Sequence, residues 1–124
     1  MMFDTDVVID AMRLREPAMR AITDASTRQV PTAVLLEVFQ GARNKRELAE
    51  MRAWFTTFRI AIVPLSASIG VRAAELLEKH ALCDGLEGMD ALIAATALEH
   101  DCELLSWNRK HFKHIAGLNL HIDK

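Results

Sequence analysis

The chain is a succession of short apolar clusters, each closed by an acid or a turn-forming residue, with spacings that alternate between those of strands and helices. Met1–Phe3 is a brief apolar run that ends on Asp4. After Thr5-Asp6 come Val7, Val8, Ile9, Ala11 and Met12, which predicts a strand, a tight turn and a helix. Pro17 suits the start of a second helix, which carries Ala18, Ala21 and Ile22 toward the polar stretch from Asp24 to Arg28. A short strand is expected around Val30. Thr32, following Pro31, offers the N-cap of a helix that contains Glu37 and stops at Gly41. From Asn44 a longer helix places Leu48, Met51, Phe55 and Phe58 on one stripe, widened by Trp54, and such a stripe has to be covered.

The second half repeats the theme. The β-branched segment from Ile60 to Pro64 reads as a buried strand, and Ser66 can cap a helix whose Ile69, Ala73, Leu76 and Leu77 share a face. That helix is expected to fade near His80–Leu82, and Cys83–Gly88, with two glycines and two acids, reads as a loop. The alanine-rich run from Asp90 to Glu99 is strongly helical. A strand at Glu103–Ser106, a polar loop or single helical turn at Asn108–His114 and a last strand at Leu118–Ile122 complete the pattern. Strands alternating with helical crossovers predict an α/β fold with a mostly parallel sheet covered on both faces.

With 124 residues the chain is expected to form one domain, spanning residues 1–124, with a core that needs no disulfide. The apolar fraction of 51% and the even spread of charge fit a soluble globular protein without repeats. No stretch is apolar enough to cross a bilayer and the N-terminus shows no basic region followed by a long apolar run, so a cytoplasmic protein without membrane association is expected. Cys83 and Cys102 lack any zinc or redox spacing and read as reduced thiols. A net charge of −2 is not the footprint of a protein that binds nucleic acid chiefly through a basic coat, but catalytic carboxylates would lower the charge of a nuclease too, so the total excludes little.

Three acids change the picture. In an open α/β sheet chemistry gathers at the carboxyl ends of strands, and Asp4 stands at such an end. Glu37 is flanked by Ala33-Val34-Leu35-Leu36 and Val38-Phe39, so a carboxylate there would be buried at a cost that a cation would offset. Asp90 opens the apolar run Ala91–Leu98. Singly, Asp4 and Asp90 read as well as helix caps, and Glu37 as a residue on a narrow exposed edge. Together they supply the oxygen donors of a Mg²⁺ or Mn²⁺ site, to which Asn108 adds a fourth oxygen unless it is only a turn residue.

The segments Phe3-Asp4-Thr5-Asp6-Val7-Val8-Ile9-Asp10, Leu36-Glu37-Val38-Phe39-Gln40-Gly41, Asp90–Leu98 and Leu104-Leu105-Ser106-Trp107-Asn108-Arg109-Lys110-His111-Phe112 occur in the order of the PIN-domain family. The chain resembles that family over nearly its whole length, and within it the VapC toxins of toxin–antitoxin pairs. The resemblance implies a three-layer α/β/α sandwich with a mostly parallel sheet of about four or five strands. It also implies a Mg²⁺- or Mn²⁺-dependent endoribonuclease, with Asp4, Glu37, Asp90 and Asn108 as metal-holding, catalytic positions, supported by Thr5, Asp6 and Ser106. Two positions depart from the family pattern. Ser106 stands where Thr is usual, which keeps the hydroxyl, and Asn108 stands where Asp is frequent, which leaves the site one negative charge short.

In such a site a coordinated water is acidified and the charge developing on phosphate is neutralised, so no side-chain nucleophile is needed. A polyanion held beside carboxylates requires basic neighbours, and the candidates for RNA contact are Arg13, Arg15, Arg43, Lys45, Arg46, Arg109, Lys110 and Lys113. Each is equally a solvated surface charge. Alternatives are a haloacid-dehalogenase-like phosphatase, suggested by Asp4-Thr5-Asp6, and a catalytically inactive PIN-like module that binds RNA or protein. A zinc site at His111-x-x-His114 lacks the spacing of known zinc motifs. The resemblance further implies a VapB-like antitoxin that lays a helix in a groove and inserts a basic side chain, and a homodimer. The stripe Leu48, Met51, Trp54 and Phe55 suits that groove as well as a plain core.

Overall fold

The computed structural model describes residues 1–121. Its elements run β1 (Met2–Phe3), α1 (Thr5–Met12), α2 (Glu16–Asp24), β2 (Gln29–Pro31), α3 (Thr32–Gln40), α4 (Lys45–Thr57), β3 (Ala61–Val63), α5 (Ala67–Asp84), α6 (Gly88–Glu99), β4 (Leu104–Leu105) and α7 (Arg109–Phe112). The four strands form one parallel sheet in the order β3-β2-β1-β4. Successive strand residues point to opposite faces, and both Met2 and Phe3 are fully buried, so helices cover the sheet on both sides. From β1 the chain first builds outward through β2 and β3, and then returns to add β4 on the other side. The crevice this leaves lies between the carboxyl ends of β1 and β4.

Several expected starts and stops shift. No turn separates β1 from α1: Asp4 is the N-cap itself, its carboxylate accepting from the Thr5 backbone N–H at 2.8 Å. Asn44 and Ser66 cap α4 and α5 as expected. Thr32 does not cap α3. Pro31 occupies that position, and the Thr32 hydroxyl donates instead to the Val63 carbonyl at 2.7 Å, tying α3 to β3. Helix α5 does not fade at His80–Leu82 but continues to Asp84, where Gly85 takes the left-handed conformation (φ 70°) that closes it. The expected Cys83–Gly88 loop therefore shrinks, and α6 begins at Gly88, two residues before Asp90.

Helix α6 is the central pillar. Ala91, Ile93, Ala94, Ala95, Thr96 and Ala97 are all buried, and their small size lets α5 and α3 pack closely on it. The stripe on α4 is far less covered than its periodicity demands. Only Phe55 is buried, Met51, Trp54 and Phe58 are half-buried, and Leu48 stays 40% exposed. Of the expected strand Leu118–Ile122, the structure shows a single parallel bridge, Leu104 to Leu120, and Ile122 lies outside the described residues. Cys83 and Cys102 are free. Among the described residues no helix is long and apolar enough to cross a membrane.

Candidate functional site

Asp4 ends β1 at the floor of the crevice and is 5% exposed. Its Oδ1 accepts from the Thr5 N–H, and its Oδ2 accepts from the Ser106 hydroxyl at 2.6 Å, a bond that links residues from opposite ends of the chain. Burial, then the neighbouring charge of Asp6, push the Asp4 carboxyl up to about 7, although the Ser106 and Thr5 bonds pull the other way; Asp90 adds to the rise. Ser106 accepts in turn from the Asn108 backbone N–H at 3.0 Å, so one hydroxyl joins Asp4 to the loop after β4.

Glu37 reaches this floor from the second turn of α3. Its Oε1 accepts from the Thr5 hydroxyl at 2.6 Å. It is half-buried rather than enclosed, because Leu36 beside it is 49% exposed and α3 does present an open edge. The deep acid is Asp4, not Glu37. Asp90 sits in the first turn of α6 and is not its cap: its Oδ2 lies 3.4 Å from the Glu87 backbone N–H, which donates to it, and 3.0 Å from His111 Nδ1. The side chain of Asn108, at the exposed entry to α7, lies 3.0 Å from the same His111 nitrogen. Thr5 and Ser106 thus link Asp4 to Glu37 and to the Asn108 backbone, and His111 Nδ1 stands within hydrogen-bond distance of both the Asn108 amide and Asp90.

Asp6 supports the set from α1. Its Oδ2 accepts from the Trp107 backbone N–H at 3.1 Å, while burial raises its pKa and leaves Oδ1 buried without a partner. One turn further along, Asp10 Oδ2 accepts from the Trp107 indole N–H at 3.1 Å. Together the two acids staple the loop carrying Asn108 to α1. Sequence reasoning missed Trp107, Asp10 and His111 as parts of the site. The signal was present in spacing: Asp6 and Asp10 are four apart and share a helix face, as do Asn108 and His111, three apart.

The donors Asp4, Glu37, Asp90 and Asn108 are all hard oxygens, and among the described residues no Lys or Arg forms an ion pair with Asp4, Asp6, Glu37 or Asp90. That chemistry fits a divalent cation. Among the described residues no three His, Cys, Asp or Glu groups form a ready-made metal cage.

The basic candidates divide. Arg13 and Arg43 line a groove of about 780 Å³ that runs between α1, α3 and α4 and reaches Glu37. Arg109 and Lys110 lie on the turn that follows Asn108, with Lys113 just beyond. Arg15 pairs with Asp10, Arg43 with Glu47 and Arg46 with Glu50, so these three are already partly neutralised. Lys45 and Arg46 stand at the exposed start of α4, outside the walls of the groove.

The chain belongs to the PIN-domain family, whose pattern matches residues 1–118. Its structure is similar to a chain of a toxin–antitoxin complex from Klebsiella pneumoniae, with 29% identity, a TM-score of 0.79 and coverage of 94% of this chain and 93% of the other. It is also similar to VapBC2 from Rickettsia felis bound to a promoter DNA fragment, with 25% identity, a TM-score of 0.79 and coverage of 97% and 96%. VapBC-1 from nontypeable Haemophilus influenzae shares the fold at 19% identity, a TM-score of 0.78 and coverage of 97% and 95%. No curated protein sequence gives a significant match. Membership of the PIN family sets aside the phosphatase alternative drawn from Asp4-Thr5-Asp6.

Proposed function

We propose that the protein is the toxin of a toxin–antitoxin pair, a Mg²⁺- or Mn²⁺-dependent endoribonuclease that acts in the cytoplasm until its antitoxin binds. The observation that carries this reading is Asp4, a buried acid beside two other acids and, among the described residues, without a basic partner, at the crevice where the sheet order reverses. Such an arrangement costs free energy unless a cation compensates it. Asp4, Glu37, Asp90 and the Asn108 amide would hold that ion. The chemistry it supplies is acidification of water and neutralisation of the attacked phosphate.

The chain's own residues prepare the site for that chemistry. Thr5 fixes Glu37 through Oε1 and leaves Oε2 for a ligand. The Thr5 N–H and Ser106 hydroxyl hold Asp4 in one orientation while each carboxylate oxygen keeps a further lone pair. Arg13 and Arg43 on one side, and Arg109, Lys110 and Lys113 on the other, would carry the RNA backbone past the acids. Arg15, Lys45 and Arg46 stand further out and would contribute to long-range attraction only.

The groove reaching Glu37 also suits the antitoxin. Ile9, Met12, Val38, Met51 and Trp54 give it an apolar wall, and Glu37 gives it an acidic end for a basic side chain. The toxin–antitoxin assemblies among the similar structures support this partner, and a second copy of the toxin belongs to the same reading.

The test is cleavage of total RNA by the purified protein with Mn²⁺, with EDTA, and by Asp4→Asn. Sequencing of RNA 5′ ends after expression of the wild type and of Asp4→Ala in cells identifies the substrate. Cleavage that persists in EDTA, or in both Asp4 variants, would show that the acids are not the catalytic centre.

A further inference from the structure

Asn108 differs from the carboxylates around it in carrying one oxygen and one NH₂ rather than two oxygens. A hard cation is served only by the oxygen, so the amide has to be held with its NH₂ turned elsewhere. In this chain a holder is at hand: Asn108 Nδ2 lies 3.0 Å from His111 Nδ1, one turn along α7. The same ring nitrogen lies 3.0 Å from Asp90 Oδ2. A ring nitrogen bears at most one hydrogen, so it either accepts from the amide or donates to the carboxylate. The two contacts are therefore alternatives.

We propose that His111 is a positioning residue: with a divalent cation on Asp90, its Nδ1 accepts from the Asn108 NH₂ and so presents the single Asn108 carbonyl oxygen to that cation. This rests on the cation site proposed above. It explains how a neutral amide serves at a position where a carboxylate would need no orientation, since either oxygen of a carboxylate can face the ion. His111 then compensates locally for the charge that Asn108 lacks. When Asp90 is not engaged by a cation, the ring is free to donate to it instead and ties α7 to the first turn of α6.

The experiment is a calorimetric Mn²⁺ titration of the wild type, His111→Ala, Asn108→Asp and the double variant, with His111→Gln as the conservative replacement. Outer partners of metal ligands are worth about 10- to 100-fold in affinity, and His111→Ala is expected to lose that much. His111→Gln, whose amide oxygen can accept from Asn108, should recover most of it. In the Asn108→Asp background, where orientation no longer matters, His111→Ala should cost less than about threefold. A similar loss in both backgrounds would mean that His111 only fastens α7 to α6, and no loss in either would remove it from the site; both overturn the inference while leaving the nuclease reading intact. A wild type that takes up no Mn²⁺ removes the cation site itself, and the inference with it. Metal-free melting of each variant checks folding, and the Gln variant carries the comparison if the Ala variant is unfolded.

Discussion

At the scale of single residues the decisive fact is that, among the described residues, the most buried acid is Asp4. The surroundings of Glu37 in the sequence made it look like the enclosed one, because six apolar neighbours precede or follow it closely, yet a helix turns such neighbours to different sides and leaves Leu36 about half exposed. Asp4 gave the weaker signal because a strand end and an N-cap look alike in sequence. Its burial has a consequence for pH. The folded carboxyl titrates near 7 against about 3.8 when unfolded, so the folded state holds the proton more tightly. The associated stability is complete below about pH 4 and declines as pH rises to 7, a difference of about 4 kcal/mol. Metal-free wild type should therefore melt lower at pH 8 than at pH 5. Asp4→Asn should flatten that dependence and raise the pH 8 melting temperature by about 5–15 °C. A variant that melts lower than wild type at pH 8 would show that the Asp4 bonds to Thr5 and Ser106 outweigh its burial. Asp90→Asn should move the melting temperature little, because an amide oxygen can replace the carboxylate toward Glu87 and His111.

At the scale of elements, the strands and helices were legible from their periods, whereas the helix ends were not. Helix α5 outlasts its apolar pattern because His80 is buried and pairs with Asp84 at 2.7 Å, one turn on, so two polar residues behave as part of the packed face. Thr32 was misread because a hydroxyl that can cap its own helix can equally bond a neighbouring strand. The staple of α1 to the β4–α7 loop was not legible, since nothing in the sequence brings Asp10 and Trp107 together. It predicts that Trp107→Phe, which keeps the ring and loses the indole N–H, costs about 1 kcal/mol of stability in thermal melts, with the larger effect on RNA cleavage. Unchanged cleavage would show that the Asn108 loop needs no staple. On α4, Phe55→Ala should cost about 3–5 kcal/mol, as expected for its burial. Leu48→Ser should cost much less in the same thermal melts, because Leu48 is already 40% exposed.

At the scale of the molecule, the parallel sheet could be inferred from the alternation of elements, but the central place of β1 could not, because strand order depends on which crossovers pack together. That order is what brings Asp4 and Asn108 to one crevice. The charge distribution follows the same division: the total is slightly acidic, while basic residues stand on both flanks of the acids. RNA affinity should fall roughly a hundredfold between about 50 and about 200 mM salt if about five basic side chains meet phosphates, and Arg109→Ala with Lys110→Ala should make that fall shallower. Filter binding to the Asp4→Asn variant, which does not consume the RNA, measures both.

The bond from Ser106 to Asp4 spans 102 positions of the chain, and it has a meaning for synthesis. The first strand and two of the acids leave the ribosome well before the strand that flanks β1 on its other side and the hydroxyl that holds Asp4. Contacts so distant in sequence form late in folding. A nascent copy of this chain is therefore without a finished site until β4 and Ser106 have emerged, and the proposed RNA-cutting activity would appear only after them.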